Sequence, residues 1–147
     1  MSWLNDIPGQ HFEDALSLAP RALTADGDMA AAVKAGVEPR RYAMVSLTIA
    51  GLLGCESFVE ALRGSLDVAI ANKVCLNWRE VGLDDQEKAV MAFTEKGTSD
   101  ESSVRQDDVQ ALRDAGLSDQ DILSLTALVS YQNYALRVAA ALNVNPR

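Results

Sequence analysis

The stretch GLSDQDILSLTALVSYQNYALRVAAALNV, residues 116–144, restricts the possible folds of this chain more than any other. Ser118 stands where a helix N-cap belongs, and Asp121 sits at the capping-box position. Leu117 and Ile122 can close a hydrophobic staple across them. The helix so started is expected to run to about Leu142, and its second half is apolar on most faces apart from Gln132, Asn133 and Arg137. A helix of roughly 24 residues with so little polar surface must be covered by the rest of the domain or by another subunit.

The remaining residues supply helices to cover it. A first helix is expected over 10–18, ending before Pro20. A second begins near Asp26 and runs through MAAAVKAG to Gly36, a plausible C-terminal cap. The third opens at Glu38-Pro39, where proline at a first-turn position loses nothing by lacking its N–H. It continues as RRYAMVSLTIAGLL, apolar around most of its circumference, and reads as a central buried helix. Ser46 and Thr48 are expected to satisfy their hydroxyls on carbonyls one turn back. A fourth helix is expected from Gly54-Cys55 to about Lys73, because Phe58, Val59, Leu62, Leu66, Ala69 and Ile70 recur at helical spacing.

Residues 74–83 read as a connector anchored by Trp78. Asp84 and Glu87 form a second capping box, opening a helix with Val90, Met91 and Phe93 inward and Gly97 at its end. After the polar TSDESS, a short helix over 105–115 turns Val109 and Leu112 inward and stops at Gly116. No segment alternates with period two long enough for a strand. The expectation is an all-α bundle of six or seven helices, built as a single domain over 1–147. At this length folding buries roughly 70% of the unfolded chain's surface, enough for a core without staples.

Charge and composition narrow the functions. With a formal net charge of −8, the surface repels phosphate backbones, and the Arg40-Arg41 pair is too small to override it. Nucleic acid and anionic membranes are therefore not expected partners. The longest apolar run, residues 43–55, falls short of the roughly 20 residues that a spanning helix needs. No secretory leader is evident, so a soluble, cytoplasmic protein is expected. Two cysteines make no disulfide framework. With one histidine, no Cys-x-x-Cys and no phosphate-cradling glycine loop, no metal and no cofactor are expected.

The segments LDDQEKAVMAFTEKGT, DDVQALRDAGLSDQDIL and YQNYALRVAAALNV, with a buried helix leading into Gly54-Cys55 upstream, together resemble the alkylhydroperoxidase D-like and carboxymuconolactone decarboxylase superfamily. The likeness is to its peroxidase-related subgroup and covers the chain from about Phe12 onward. It implies that helical fold, and chemistry at the start of the fourth helix. Active relatives carry Cys-x-x-Cys, a histidine one turn after the second cysteine, and a glutamate about a dozen residues before the first. A helix N-terminus stabilises the thiolate, the second thiol resolves the sulfenic acid formed on peroxide, and the carboxylate and imidazole move the proton.

On this chain Cys55 matches the first cysteine. Phe58 stands for the second, Leu62 for the histidine and Ala43 for the glutamate, and His11, the one histidine, lies outside the motif. Cys55 is the candidate catalytic thiol. Glu60 is a candidate base if it faces a cavity, although Glu56 and Glu60 would raise a neighbouring thiol's pKa. If the helix runs unbroken, Cys75 lies roughly 25 to 30 Å from Cys55, at about 1.5 Å per residue, too far for a disulfide. A sharp bend at Gly64 would change that but breaks the helix, so Cys75 reads as a small buried hydrophobe or a partner across an oligomer interface.

Arg40, Arg41 and Tyr42 are expected to make capping contacts or salt bridges between subunits. Tyr131, Asn133, Tyr134 and Arg137 are expected to tie helices or subunits together.

The function implied is an alkylhydroperoxidase D-like protein that has lost the thiol-peroxidase site and serves as an oligomeric binding or structural protein, with a small apolar ligand as one possibility. The alternatives are an antioxidant one-cysteine thiol peroxidase using Cys55 with an external thiol, and a decarboxylase or lactone-handling enzyme. Under each, a homo-oligomer is expected, a dimer or hexamer.

Overall fold

The structure, a computed structural model, describes residues 1–146; Arg147 lies outside the described residues. Eight α-helices follow one another: α1 Phe12–Leu16, α2 Pro20–Ala35, α3 Pro39–Leu52, α4 Glu56–Leu62, α5 Val68–Asn77, α6 Asp85–Ser99, α7 Gln106–Asp114 and α8 Asp119–Leu142. Among the described residues there is no strand, only a single parallel bridge between His11 and Asn145. No described helix is long and apolar enough to cross a membrane.

The centre of the molecule is α3. Glu38 caps it by accepting the Arg40 and Arg41 N–H groups at 3.0 and 3.1 Å, and Pro39 occupies the first turn as expected. Every residue from Ala43 to Ala50 is buried, and α4, α5, α6 and α8 all pack on it. Such all-round burial is what an apolar circumference demands. The boxes Asp84/Glu87 and Ser118/Asp121 open α6 and α8 as read from their residues, and Leu117 and Ile122 are both buried beside the second. The covering of α8 is supplied within the chain: Leu125, Leu128, Val129, Leu136 and Ala139 are buried, and only Leu123 and Tyr134 remain as large exposed side chains with apolar surface along it. The chain ends are held together, Phe12 donating to the Asn145 carbonyl at 2.8 Å and Asn145 to that of Gln10 at 2.7 Å.

Several boundaries differ from expectation. Pro20 begins α2 instead of ending α1, because a first-turn proline is compatible with a helix that starts there. Gly97 lies inside α6, packed on Val129 of α8, so tertiary contact carries the helix past it to Ser99. Residues 74–77 belong to α5, not to a connector. The largest departure is the expected helix from 54 to 73, which is two helices, and it brings the count to eight. After α4, Arg63–Ser65 make a tight 3₁₀ turn, and Asp67 then starts α5 by accepting the Ala69 N–H at 3.0 Å.

Candidate functional site

The break between α4 and α5 decides what surrounds Cys55. With α5 turned back, its last turn packs against the last turn of α3. A Cβ built on Gly51 would fall on the Cys75 carbonyl and 3.1 Å from the Cys75 Cα, so the two backbones touch where only glycine leaves room. Cys55 is drawn to the same turn, its N–H donating to the Ala50 carbonyl at 2.8 Å. Cys55 and Cys75 consequently open on one cleft of about 810 Å³, together with Val59, Glu60, Arg63 and Leu76. This overturns the expected separation along a continuous helix. Cys75 is partly buried, packed against the main core and lining the cleft.

Cys55 is the N-cap of α4, with no side-chain cap hydrogen bond. Both cysteines are free thiols, each half-buried. Burial pushes the Cys55 thiol up from its ordinary value. Burial also pushes the Cys75 thiol up, while the charge of Arg63 pulls it partly back. Glu60 does reach the cleft, but as an exposed side chain paired with Arg63 at 3.3 Å. The apolar residues matched to the rest of the motif pack: Ala43 is 1% exposed, Phe58 is buried in the main core, and Leu62 lies half-buried against it. His11 sits before α1 and makes the bridge to Asn145. No group of three or more His, Cys, Asp or Glu side chains able to hold a metal ion occurs among the described residues.

The other candidates hold the bundle together. Arg40 pairs with Glu87 at 2.8 Å and Arg41 donates to Gln86 at 2.7 Å, both joining α3 to α6 within the chain. Tyr131 donates to Asp26 of α2 at 3.1 Å. Asn133 donates to the Thr98 hydroxyl at 3.0 Å, and Arg137 to the Thr98 carbonyl at 3.1 Å. Tyr134 meets Phe12 edge to face at 6.0 Å. Trp78 is buried, and its indole N–H donates to Glu95 at 2.6 Å.

Missed in the sequence was a buried amide node. Gln132 donates to Ser46 at 2.8 Å and to the Tyr42 hydroxyl at 3.2 Å. Ser46 is thus satisfied across helices, not one turn back. Among the described residues, Thr48 has no hydrogen-bond partner for its buried hydroxyl. Helical spacing places Tyr42 and Ser46 on one face of α3, the one available signal for the node.

No family model matches the chain, and no curated protein does. Solved structures do. A peroxidase-related protein from Silicibacter sp. TM1040 superposes with a TM-score of 0.82 at 20% identity, over 92% of this chain and 75% of that one. A protein of unknown function from Agrobacterium tumefaciens, described as a candidate AhpD antioxidant defence protein, gives 0.75 at 23% identity over 88% and 92%. The debrominase Bmp8, as a cysteine-to-alanine variant with 2,3,4-tribromopyrrole, gives 0.73 at 17% identity over 90% and 74%. At these identities the likeness establishes the fold: the chain has the all-helical alkylhydroperoxidase D-like fold.

Proposed function

We propose that this chain is an alkylhydroperoxidase D-like protein without the contiguous two-thiol peroxide centre, acting through the cleft between α4 and α5 as a binder of small apolar molecules. The observation that carries this reading is Phe58. At the position of the second cysteine, it is 7% exposed and part of the main core, and a packed phenyl ring can neither resolve a sulfenic acid nor give way without loss. Ala43 and Leu62 support the reading, since neither can carry a proton where a glutamate and a histidine would. Burial, which disfavours the Cys55 thiolate, speaks against the one-cysteine peroxidase. No acid–base pair converges in the cleft for a decarboxylase, because Glu60 is exposed and tied to Arg63.

A small apolar ligand is consistent with the cleft's walls, which include Val59 and Leu76, and with the bromopyrrole in the complex of the debrominase neighbour. The whole chain works as one domain in this reading, in the cytoplasm and as a homo-oligomer. Leu52 and Val68, exposed on α3 and α5, are the apolar surface such an assembly would cover.

The test is hydroperoxide consumption by purified protein with dithiothreitol as reductant. The expected rate is no higher than that of an equal concentration of free thiol. Catalytic turnover that disappears in Cys55→Ser would overturn the proposal.

A further inference from the structure

We propose that Cys55 and Cys75 form a split dithiol, two thiols on different helices that exchange with a small disulfide entering the α4–α5 cleft and end as an intrachain disulfide across it. This assigns the cleft a reaction and a substrate class, low-molecular-weight disulfides. It rests on the cleft admitting small molecules, as above, but not on the loss of peroxide chemistry.

Three observations place the pair. Both thiols are free, half-buried and on the wall of the same cleft, so a small disulfide can reach either. Both backbones are tied to one turn of α3: Cys55 through its N–H to the Ala50 carbonyl at 2.8 Å, and Cys75 through its close approach to Gly51. A disulfide needs α-carbons about 4.4 to 6.8 Å apart. The Arg63–Ser65 turn that joins α4 to α5 is exposed, with open space around Gly64, and the cross-link requires the two helices to meet at that span.

The two thiols are also unequal. Arg63 is in the cleft and its charge favours the Cys75 thiolate, while the other charged groups there, Glu56 and Glu60, are acidic. Cys75 is therefore the attacking thiol. Its thiolate displaces one sulfur of the disulfide R–S–S–R, forming a Cys75–S–S–R bond and releasing RS⁻, which takes up a proton. The Cys55 thiolate then attacks the Cys75 sulfur, forming the Cys55–Cys75 bond and releasing the second RS⁻. The protein loses two thiol hydrogens and the disulfide becomes two thiols, so the small disulfide is the oxidant and no other is needed.

The experiment incubates reduced full-length protein with oxidised glutathione and reads intact and peptide masses under non-reducing conditions. The expected product is a chain lighter by two hydrogens with Cys55 linked to Cys75. Cys55→Ser is expected to stop at one glutathionyl adduct on Cys75. Cys75→Ser is expected to form its adduct on Cys55 more slowly than Cys55→Ser forms its adduct on Cys75, because the charge of Arg63 favours the Cys75 thiolate. Arg63→Gln is expected to slow the first step about threefold by removing the cation beside the attacking thiolate. Two stable adducts on the wild-type chain, a link between chains, or unreactive thiols would overturn the proposal. Equal rates in the two serine variants, or an unchanged rate in Arg63→Gln, would overturn the assignment of Cys75 as attacker. Peroxide loss is a separate readout, so the peroxidase reading can fail while the cross-link forms, and the reverse.

Discussion

Thr48 and Ser46 are two residues apart on α3: both are buried hydroxyls, and only one has a hydrogen-bond partner among the described residues. Ser46 receives the Gln132 amide, whereas Thr48, 3% exposed, meets no partner. An unsatisfied buried hydroxyl costs about 1 to 3 kcal/mol, while an apolar group of the same shape costs nothing comparable. Thr48→Val keeps the β-branch and replaces the hydroxyl by a methyl. The expected outcome is a gain of about 1 kcal/mol, read as a higher urea midpoint at unchanged m-value. An unchanged or lower midpoint would mean that Thr48 has a hydrogen-bond partner after all. Ser46→Ala should move the other way by about 1 kcal/mol, since it strands a buried amide hydrogen.

At Gly51 the bare backbone defines how close α3 and α5 can come. Gly51→Ala places a methyl on the Cys75 carbonyl, and backbone cannot swing aside as a side-chain tip can. The helices must part, at a cost of about 1 to 3 kcal/mol typical of overpacking. Thermal unfolding should show it as a lowered midpoint, and cysteine labelling as faster modification of Cys75. Gly64→Ala, with open space around it, should leave both unchanged.

The same junction shows what the residues disclose and what they hide. Caps were legible because they are local chemistry: Glu38 with Pro39, Asp84 with Glu87 and Ser118 with Asp121 each satisfy their own helix N–H groups within a few residues. The break after Leu62 was not, since α4 and α5 both turn apolar residues to α3 and the helical spacing runs on across the turn. Gly64 and the cap Asp67 are its only marks. Of the cleft, the place of Cys55 at the start of a helix could be read along the chain. The arrival of Cys75 on the same cleft depends on that reversal, which Gly64 permits but the unbroken helical spacing argues against.

At the scale of the molecule, the acidic surface is partly built into the fold. Glu95 takes Arg79 and the Trp78 indole N–H, fastening the turn after α5 to α6; chiefly through Arg79, its carboxyl is held below its ordinary value. Asp108 joins α7 to α6 through Lys96 at 2.7 Å, and that bond holds it down likewise. Asp121, hydrogen-bonded to Ser118 at the start of α8, is also lowered.

The sign follows. A carboxyl with a depressed folded pKa binds fewer protons folded than unfolded, so its contribution is complete above the unfolded value of about 4 and is lost as pH falls through the folded one. Acid also removes self-repulsion from a chain carrying −8, which works in the opposite direction and sets in over the same range. Exposed repulsion is screened by salt, whereas hydrogen-bonded ties are screened much less. In about 0.15 M salt the ties should dominate, and the melting temperature followed by circular dichroism should hold between pH 7 and 5 and drop steeply below about pH 4. Glu95→Gln should melt lower at pH 7 and lose less on acidification, so that its curve converges on the wild-type curve at low pH. Parallel curves would place the acid sensitivity elsewhere and leave Glu95 a surface charge like any other.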